Sequence, residues 1–183
     1  SLYVAWHTLA YTGLRRGELL GLEWSDIDFD NKMISVNKTL VKIGGKLSTQ
    51  SPKTKCSLRT ISIDDATLQV LKNWKLEQKK LFFKHGIKSQ NIVITNFSGS
   101  YFEFSHFREE LLYFLGKHKL KQFNVHSLRH THASLLFEAG IEPKTISDRL
   151  GHANIQTTLD MYTHLNDNQR SDVADRLLKF LEA

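Results

Sequence analysis

Six side chains stand out for the chemistry they could do together: Arg15, Lys53, His126, Arg129, His152 and Tyr162. Arg15 lies in Thr-Gly-Leu-Arg-Arg-Gly-Glu-Leu, which begins at Thr12, and His126 and Arg129 share His-Ser-Leu-Arg-His. His152 ends Leu-Gly-His, Tyr162 follows it, and Lys53 lies in Ser-Pro-Lys-Thr-Lys. Two arginines can grip the non-bridging oxygens of a phosphodiester in a planar fork. Histidines can donate hydrogen bonds or move protons. A lysine can protonate a departing oxygen, and a tyrosine can attack phosphorus. The set suits a phosphodiester in its transition state. It includes no carboxylate cluster, so it implies no metal.

Each residue also has a plainer reading. Arg15 and Glu18 are spaced i,i+3, as in a surface ion pair on a helix. His126 and Arg129 have the same spacing at the start of a helix, where free backbone amides and the positive dipole end favour a phosphate. His126 and His130 have the spacing of a metal-binding pair, and five histidines fall between residues 126 and 164. No cysteine or well-placed carboxylate offers a third ligand, however, and Arg129 would repel a cation. A histidine such as His152 at a helix stop is ordinarily a cap. A tyrosine such as Tyr162, with Leu159 and Leu165 three residues to either side, ordinarily packs its ring. The residues alone leave both Lys53 and Lys55 open as the acid.

The blocks taken together resemble those of the tyrosine recombinases, the phage and transposon integrase family. That family's pattern reads Thr-Gly-Leu-Arg-x-x-Glu-Leu, then His-x-Leu-Arg-His, then Leu-Gly-His followed by Thr-Thr and Tyr-x-His. Here these stand at residues 12–19, 126–130, 150–152, 157–158 and 162–164, so the likeness spans nearly the whole chain. It implies a catalytic domain that cuts and rejoins double-stranded DNA through a 3′-phosphotyrosyl link, with no cofactor. Tyr162 would be the nucleophile, and Arg15 and Arg129 the charge clamps. His126 and His152 would contact the phosphate, and Lys53, in its Lys-Thr setting, would be the acid. Glu18 would orient the site from behind, and His130 would be structural. The resemblance also implies a homotetramer on paired DNA sites. A type IB topoisomerase and a DNA-binding module without catalysis are the alternatives.

The chain has 183 residues, enough for one domain with a sizeable core. It carries 25 basic and 19 acidic residues, a net charge of +6, and a pI near 9.4. That balance favours a polyanionic partner without specifying one. Cys56 is the one cysteine, so no internal disulfide exists and a reducing, cytoplasmic setting fits. No run of 18 apolar residues suggests a membrane span, and no signal peptide is evident. The resemblance adds a bacterial or phage-encoded, nucleoid-associated expectation. The opening Ser-Leu-Tyr, which reads as mid-helix, suggests a fragment of a longer protein, and the resemblance implies N-terminal DNA-binding domains that are absent from it.

The elements that must position the six residues form an α+β pattern, mostly helical, in a single domain over residues 1–183. Residues 2–11 have helical spacing up to Gly13, and residues 15–22 read as a short second helix. Residues 33–41 alternate like a strand, Gly44-Gly45 signals a hairpin, and residues 46–50 and 58–63 complete a three-stranded antiparallel sheet. Lys53 falls on the turn between the last two strands. Residues 64–85 form a long helix with Leu68, Leu71, Trp74, Leu81 and Phe82 on one side, and residues 105–117 form another. A helix over 126–139 stops at Gly140, and Pro143 opens the next, which Gly151 closes. Asn154 caps the helix that carries Tyr162. Residues 167–181 form a final amphipathic helix whose apolar stripe suits packing on a neighbouring copy or on the chain's own core.

Overall fold

The computed structural model describes residues 2–52, 55–88 and 90–163, with Lys55 and residues 161–163 described by backbone alone. Seven helices and five short strands appear among them: α1 (Leu2–Thr12), α2 (Arg16–Leu20), β1 (Ile27–Asp28), β2 (Met33–Val36), β3 (Thr39–Ile43), β4 (Lys46–Gln50), β5 (Arg59–Ser62), α3 (Asp65–Lys84), α4 (Phe104–Lys117), α5 (Val125–Glu138), α6 (Pro143–Leu150) and α7 (Gln156–Thr163). No described helix is long and apolar enough to cross a membrane. The final helix expected over residues 167–181, and Lys53, lie outside the described residues.

Helix punctuation falls where side-chain chemistry places it. Asp64 accepts from the Thr67 amide at 2.8 Å and starts α3. Asn124 accepts from the Ser127 amide at 3.0 Å and starts α5. Asn154 accepts from the Gln156 amide at 2.9 Å ahead of α7. Gly151 ends α6 in the left-handed conformation, φ +68°.

The sheet differs from the single three-stranded one expected. β1, β2 and β5 form one antiparallel sheet with β2 in the middle, while β3 and β4 form a separate hairpin. The run over residues 33–41 breaks at Asn37 and Lys38 because both reach a buried carboxylate. Asn37 Nδ2 donates to Asp26 Oδ1 at 2.9 Å, and Lys38 Nζ donates to both Asp26 oxygens at 2.8 and 2.7 Å. A buried charge needs such partners, and satisfying Asp26 turns the chain out of the first sheet. The freed hairpin then lies on α2. A Cβ on Gly17 would meet Thr39 Oγ1 at 2.5 Å, and one on Gly21 would meet the Leu40 amide nitrogen at 2.8 Å. These glycines let a strand backbone rest directly on a helix.

One core joins α1, α2, the first sheet, α3 and α4 through Leu9, Leu19, Leu20, Ile34, Ile61, Leu71 and Phe107. A smaller cluster of Ala133, Ile146 and Leu150 locks α5 to α6. Leu81, expected within the apolar stripe of α3, is 44 % exposed. Gln78 is buried in that helix instead, accepting from Trp24 Nε1 at 2.8 Å and donating to the Val93 carbonyl at 3.1 Å. Buried, fully bonded amides of this kind are invisible to apolar periodicity.

Candidate active site

The three sequence blocks meet at the C-terminal end of α6. Arg15 Nη2 donates to the Gly151 carbonyl at 2.8 Å. Arg129 Nη2 donates to the Leu150 carbonyl at 2.6 Å, and its Nη1 donates to the Gly13 carbonyl at 2.6 Å. The last carbonyls of a helix lack intrahelical partners and carry the negative end of the dipole, so guanidiniums are well matched to them. Gly13, at φ +67°, is needed because its carbonyl must face Arg129 in a tight space. A Cβ there would meet His132 Cδ2 and Leu150 Cδ2 at 2.7 Å.

Behind Arg15 sits Glu18, 5 % exposed. It accepts from the Arg15 amide at 2.8 Å and from Arg15 Nη1 at 2.9 Å. It also takes a two-pronged contact from Arg59, at 3.0 and 2.9 Å. Burial pushes its carboxyl up, but the hydrogen bond and charge of Arg59, with help from Arg15, hold it below the ordinary carboxylate range. One buried anion therefore fixes two guanidiniums.

Arg129 is 2 % exposed. Burial first, then the charge of Arg15, draws its guanidinium down to about 9, which still leaves it protonated at neutral pH. Two carbonyls occupy two of its five N–H donors, leaving others for a ligand. His126, one turn earlier on α5, is exposed, and its ring meets that of exposed His130 edge-on at 4.7 Å. Burial, His130, Arg129 and Arg15 lower its pKa. His152 is half-buried, with Nδ1 2.8 Å from the hydroxyl of buried Thr158. Burial, with Arg129, Arg15 and Arg59, lowers it to about 4. Both histidines are thus neutral at pH 7.

Tyr162 falls on α7, which packs against α5 and α6, the helices that hold the arginine-bound turn. Its side chain and Lys53 lie outside the described residues, and Lys53 falls in the segment joining β4 to β5. Cys56 is exposed, in a 3-10 turn over Lys55–Ser57. Among the described residues, no group of three His, Cys, Asp or Glu side chains could hold a metal ion.

Beside Arg15 and His126 opens a cleft of about 380 Å³, lined also by Arg16, Arg108, Phe104 and Asn124. The Arg16 guanidinium lies over the Phe104 ring, 4.7 Å from its centre. Burial and the nearby charge of Arg108 lower the Arg16 pKa.

Neither Arg59 nor Arg149 is marked by a motif in its sequence neighbourhood. Arg59 shares the strand parity of Ile61 and Ile63, both buried. A charged residue on the core side of a strand is a usable signal, because a buried charge demands partners. Arg149 Nε donates to His132 Nε2 at 3.2 Å, so the ring's hydrogen is on Nδ1, which donates to the Ala10 carbonyl at 3.0 Å. Burial and Arg149 bring His132 down to about 4. This histidine ties α1 to α5 and α6.

The described architecture has close counterparts. The model of the phage integrase family matches residues 2–169. The ICEBs1 integrase of Bacillus subtilis (strain 168) is 36 % identical over 178 residues, covering 96 % of this chain and 48 % of its own length. The integrase of Staphylococcus phage L54a is 33 % identical over 177 residues, 94 % of this chain and 50 % of its own. Among solved structures, the Tn1549 transposon integrase (aa 82-397) in complex with circular intermediate DNA superposes with a TM-score of 0.83 at 27 % identity. That match covers 96 % of this chain and 59 % of that one. The chain belongs to the phage integrase family, with the mostly helical fold of its catalytic domains. It spans about half the length of the curated relatives it matches.

Proposed function

We propose that this chain is the catalytic domain of a site-specific DNA recombinase, acting on double-stranded DNA through a 3′-phosphotyrosyl intermediate. The observation that carries the reading is the convergence of Arg15, Arg129 and the Gly151-His152 turn on one point, with His126 at its edge. Arg15 and Arg129 neutralise charge that builds on the phosphoryl oxygens, the main electrostatic element of such catalysis. The cleft with Arg16 and Arg108 takes the adjoining DNA backbone.

The histidines act as neutral imidazoles. His126 accepts the proton of the Tyr162 hydroxyl as it attacks phosphorus. With the Thr158 hydroxyl 2.8 Å from its Nδ1, His152 acts as the tautomer that accepts there and offers its Nε2 hydrogen to a phosphoryl oxygen. The bond to the 5′ oxygen breaks, and Lys53 supplies that oxygen's proton. A 5′-hydroxyl from a second duplex then attacks the phosphotyrosine, restoring a DNA phosphodiester and freeing Tyr162. The bond energy is conserved through the link, so no nucleotide or metal is used. A homotetramer on paired DNA sites supplies the second duplex.

Strand transfer between duplexes tests this. Nicked duplexes tiled across the DNA flanking the gene serve as donors, a labelled second duplex is the acceptor, and EDTA is present throughout. Joining of donor to acceptor supports a recombinase. Cleavage followed only by resealing of the original strand would point to a topoisomerase, and dependence on added metal would exclude the scheme.

A further inference from the structure

The Glu18 carboxylate that supports Arg15 is itself held from the other side, and the residue that holds it also reaches the turn before His152. Arg59, on β5, has a side chain only 6 % exposed. Its Nη1 and Nη2 take one oxygen each of Glu18, at 3.0 and 2.9 Å. Its Nε donates to the Arg149 carbonyl at 2.7 Å. Its stem and Nη1 press on Gly151, where an added Cβ would lie 2.9 Å from Nη1 and 3.2 Å from Cδ.

Three consecutive residues, Arg149, Leu150 and Gly151, thus present their carbonyls to Arg59, Arg129 and Arg15 in turn. His152 comes next. Arg59 is the member of this trio that bridges to both halves of the site, through Glu18 to Arg15 and through Arg149 to the His152 turn. It also belongs to the strand reached directly from the Lys53 segment.

We propose that Arg59 is a positioning residue: it holds Arg15 and His152 in mutual register through the Glu18 carboxylate and the Arg149 carbonyl. This inference rests on the recombinase reading. Arginine is required because three N–H donors must point two ways from one rigid plane, onto an anion and onto a neighbouring carbonyl. A lysine ammonium supplies the charge without that fork. Its donors are engaged by Glu18 and the Arg149 carbonyl, so they set geometry rather than bind DNA, and misplacement of reacting groups by an ångström is costly in rate.

Arg59→Lys keeps the charge beside Glu18 and deletes the fork. Adduct formation in a single turnover is measured at saturating nicked duplex from the gene's flanking DNA, with duplex affinity and the urea midpoint measured alongside. The expected result is a rate about tenfold to a hundredfold lower, with duplex affinity within about twofold of the wild type. Glu18→Gln should slow the step similarly, and the double variant should be no slower than the worse single one, as for residues acting as a unit. A wild-type rate in Arg59→Lys, or a rate loss matched by lost affinity, would overturn the inference. Should Arg59→Lys unfold, Glu18→Gln decides alone: slow chemistry at unchanged affinity supports it, and an unchanged rate defeats it. Failure of the wild-type chain to form any adduct would instead remove the recombinase reading, and this inference with it.

Discussion

Arg15 and Arg129, 114 positions apart in the chain, close on consecutive carbonyls: Arg15 on Gly151 at 2.8 Å and Arg129 on Leu150 at 2.6 Å. Two like charges are held side by side because the C-terminal end of α6 and the Glu18 carboxylate offset their repulsion. The end of α6 therefore sets how far apart the two guanidiniums stand. A phosphate entering between them would meet donors already in place.

Gly151→Ala should break this arrangement. The residue sits at φ +68°, and the new methyl carbon would lie 2.9 Å from Arg59 Nη1 and 3.0 Å from the Cys56 carbonyl. The left-handed conformation alone costs about 1–2 kcal/mol for a non-glycine residue, and the close contacts add to it. Urea unfolding should show at least that loss, with adduct formation falling further than stability alone explains. A variant as stable and active as the wild type would contradict the carbonyl geometry.

Stability should fall in mild acid. His132 and His152 both lie near 4 in the folded chain, against about 6.5 when unfolded. The unfolded chain therefore binds more protons between those values. The stabilisation is complete above about pH 6.5 and is lost as the pH drops toward about 4. Urea midpoints at pH 7.5 and 5.0 check this, and His132→Gln should lose less over that interval. A midpoint that holds or rises at pH 5.0 would be incompatible with neutral, buried histidines.

Much of the fold and part of the site were legible in the sequence, and the limits have physical causes. Helix ends were readable because Pro143, Gly151 and Asn154 act on their immediate neighbours, whereas Asn124, which caps α5, carries no such reading in the sequence. The arginine and histidine blocks were readable because their types and spacing are restrictive. The strand break at Asn37 was not, since its cause is a carboxylate on Asp26 in an earlier turn. The role of Arg59 is hidden for the same reason: its partners, Glu18 and Arg149, lie 41 and 90 positions away. Thr158 looked like part of a motif, but its hydrogen bond to His152 is a product of the turn between α6 and α7.

The pH dependence of cleavage should place the base. Burial, with His130, Arg129 and Arg15 nearby, lowers His126 below its ordinary 6.5, so it stays competent to accept a proton at neutral pH. Single-turnover cleavage should be flat from pH 8 to 7 and fall only below about 6.5. The His126→Asn protein should lose that acid limb along with most of its rate. An acid limb centred above pH 7 would exclude His126 as the base.

Lys53 can be separated from Lys55 by changing the leaving atom. Lys53→Ala should slow cleavage on the order of a hundredfold, as loss of a general acid does. A duplex with sulfur in place of the 5′-bridging oxygen needs no proton on departure, so it should restore the rate to that variant. Restoration seen only with Lys55→Ala would move the acid to that residue.

The nucleophile is the most direct test. A nicked duplex that releases a short fragment after cleavage traps the covalent intermediate, which survives a denaturing gel. Mass spectrometry should map the DNA to the peptide containing Tyr162. Tyr162→Phe keeps the ring and deletes only the hydroxyl, so it should fold with an unchanged urea midpoint and trap nothing. A folded Tyr162→Phe protein that still forms the adduct, or an adduct mapped to another residue, would contradict catalysis by Tyr162.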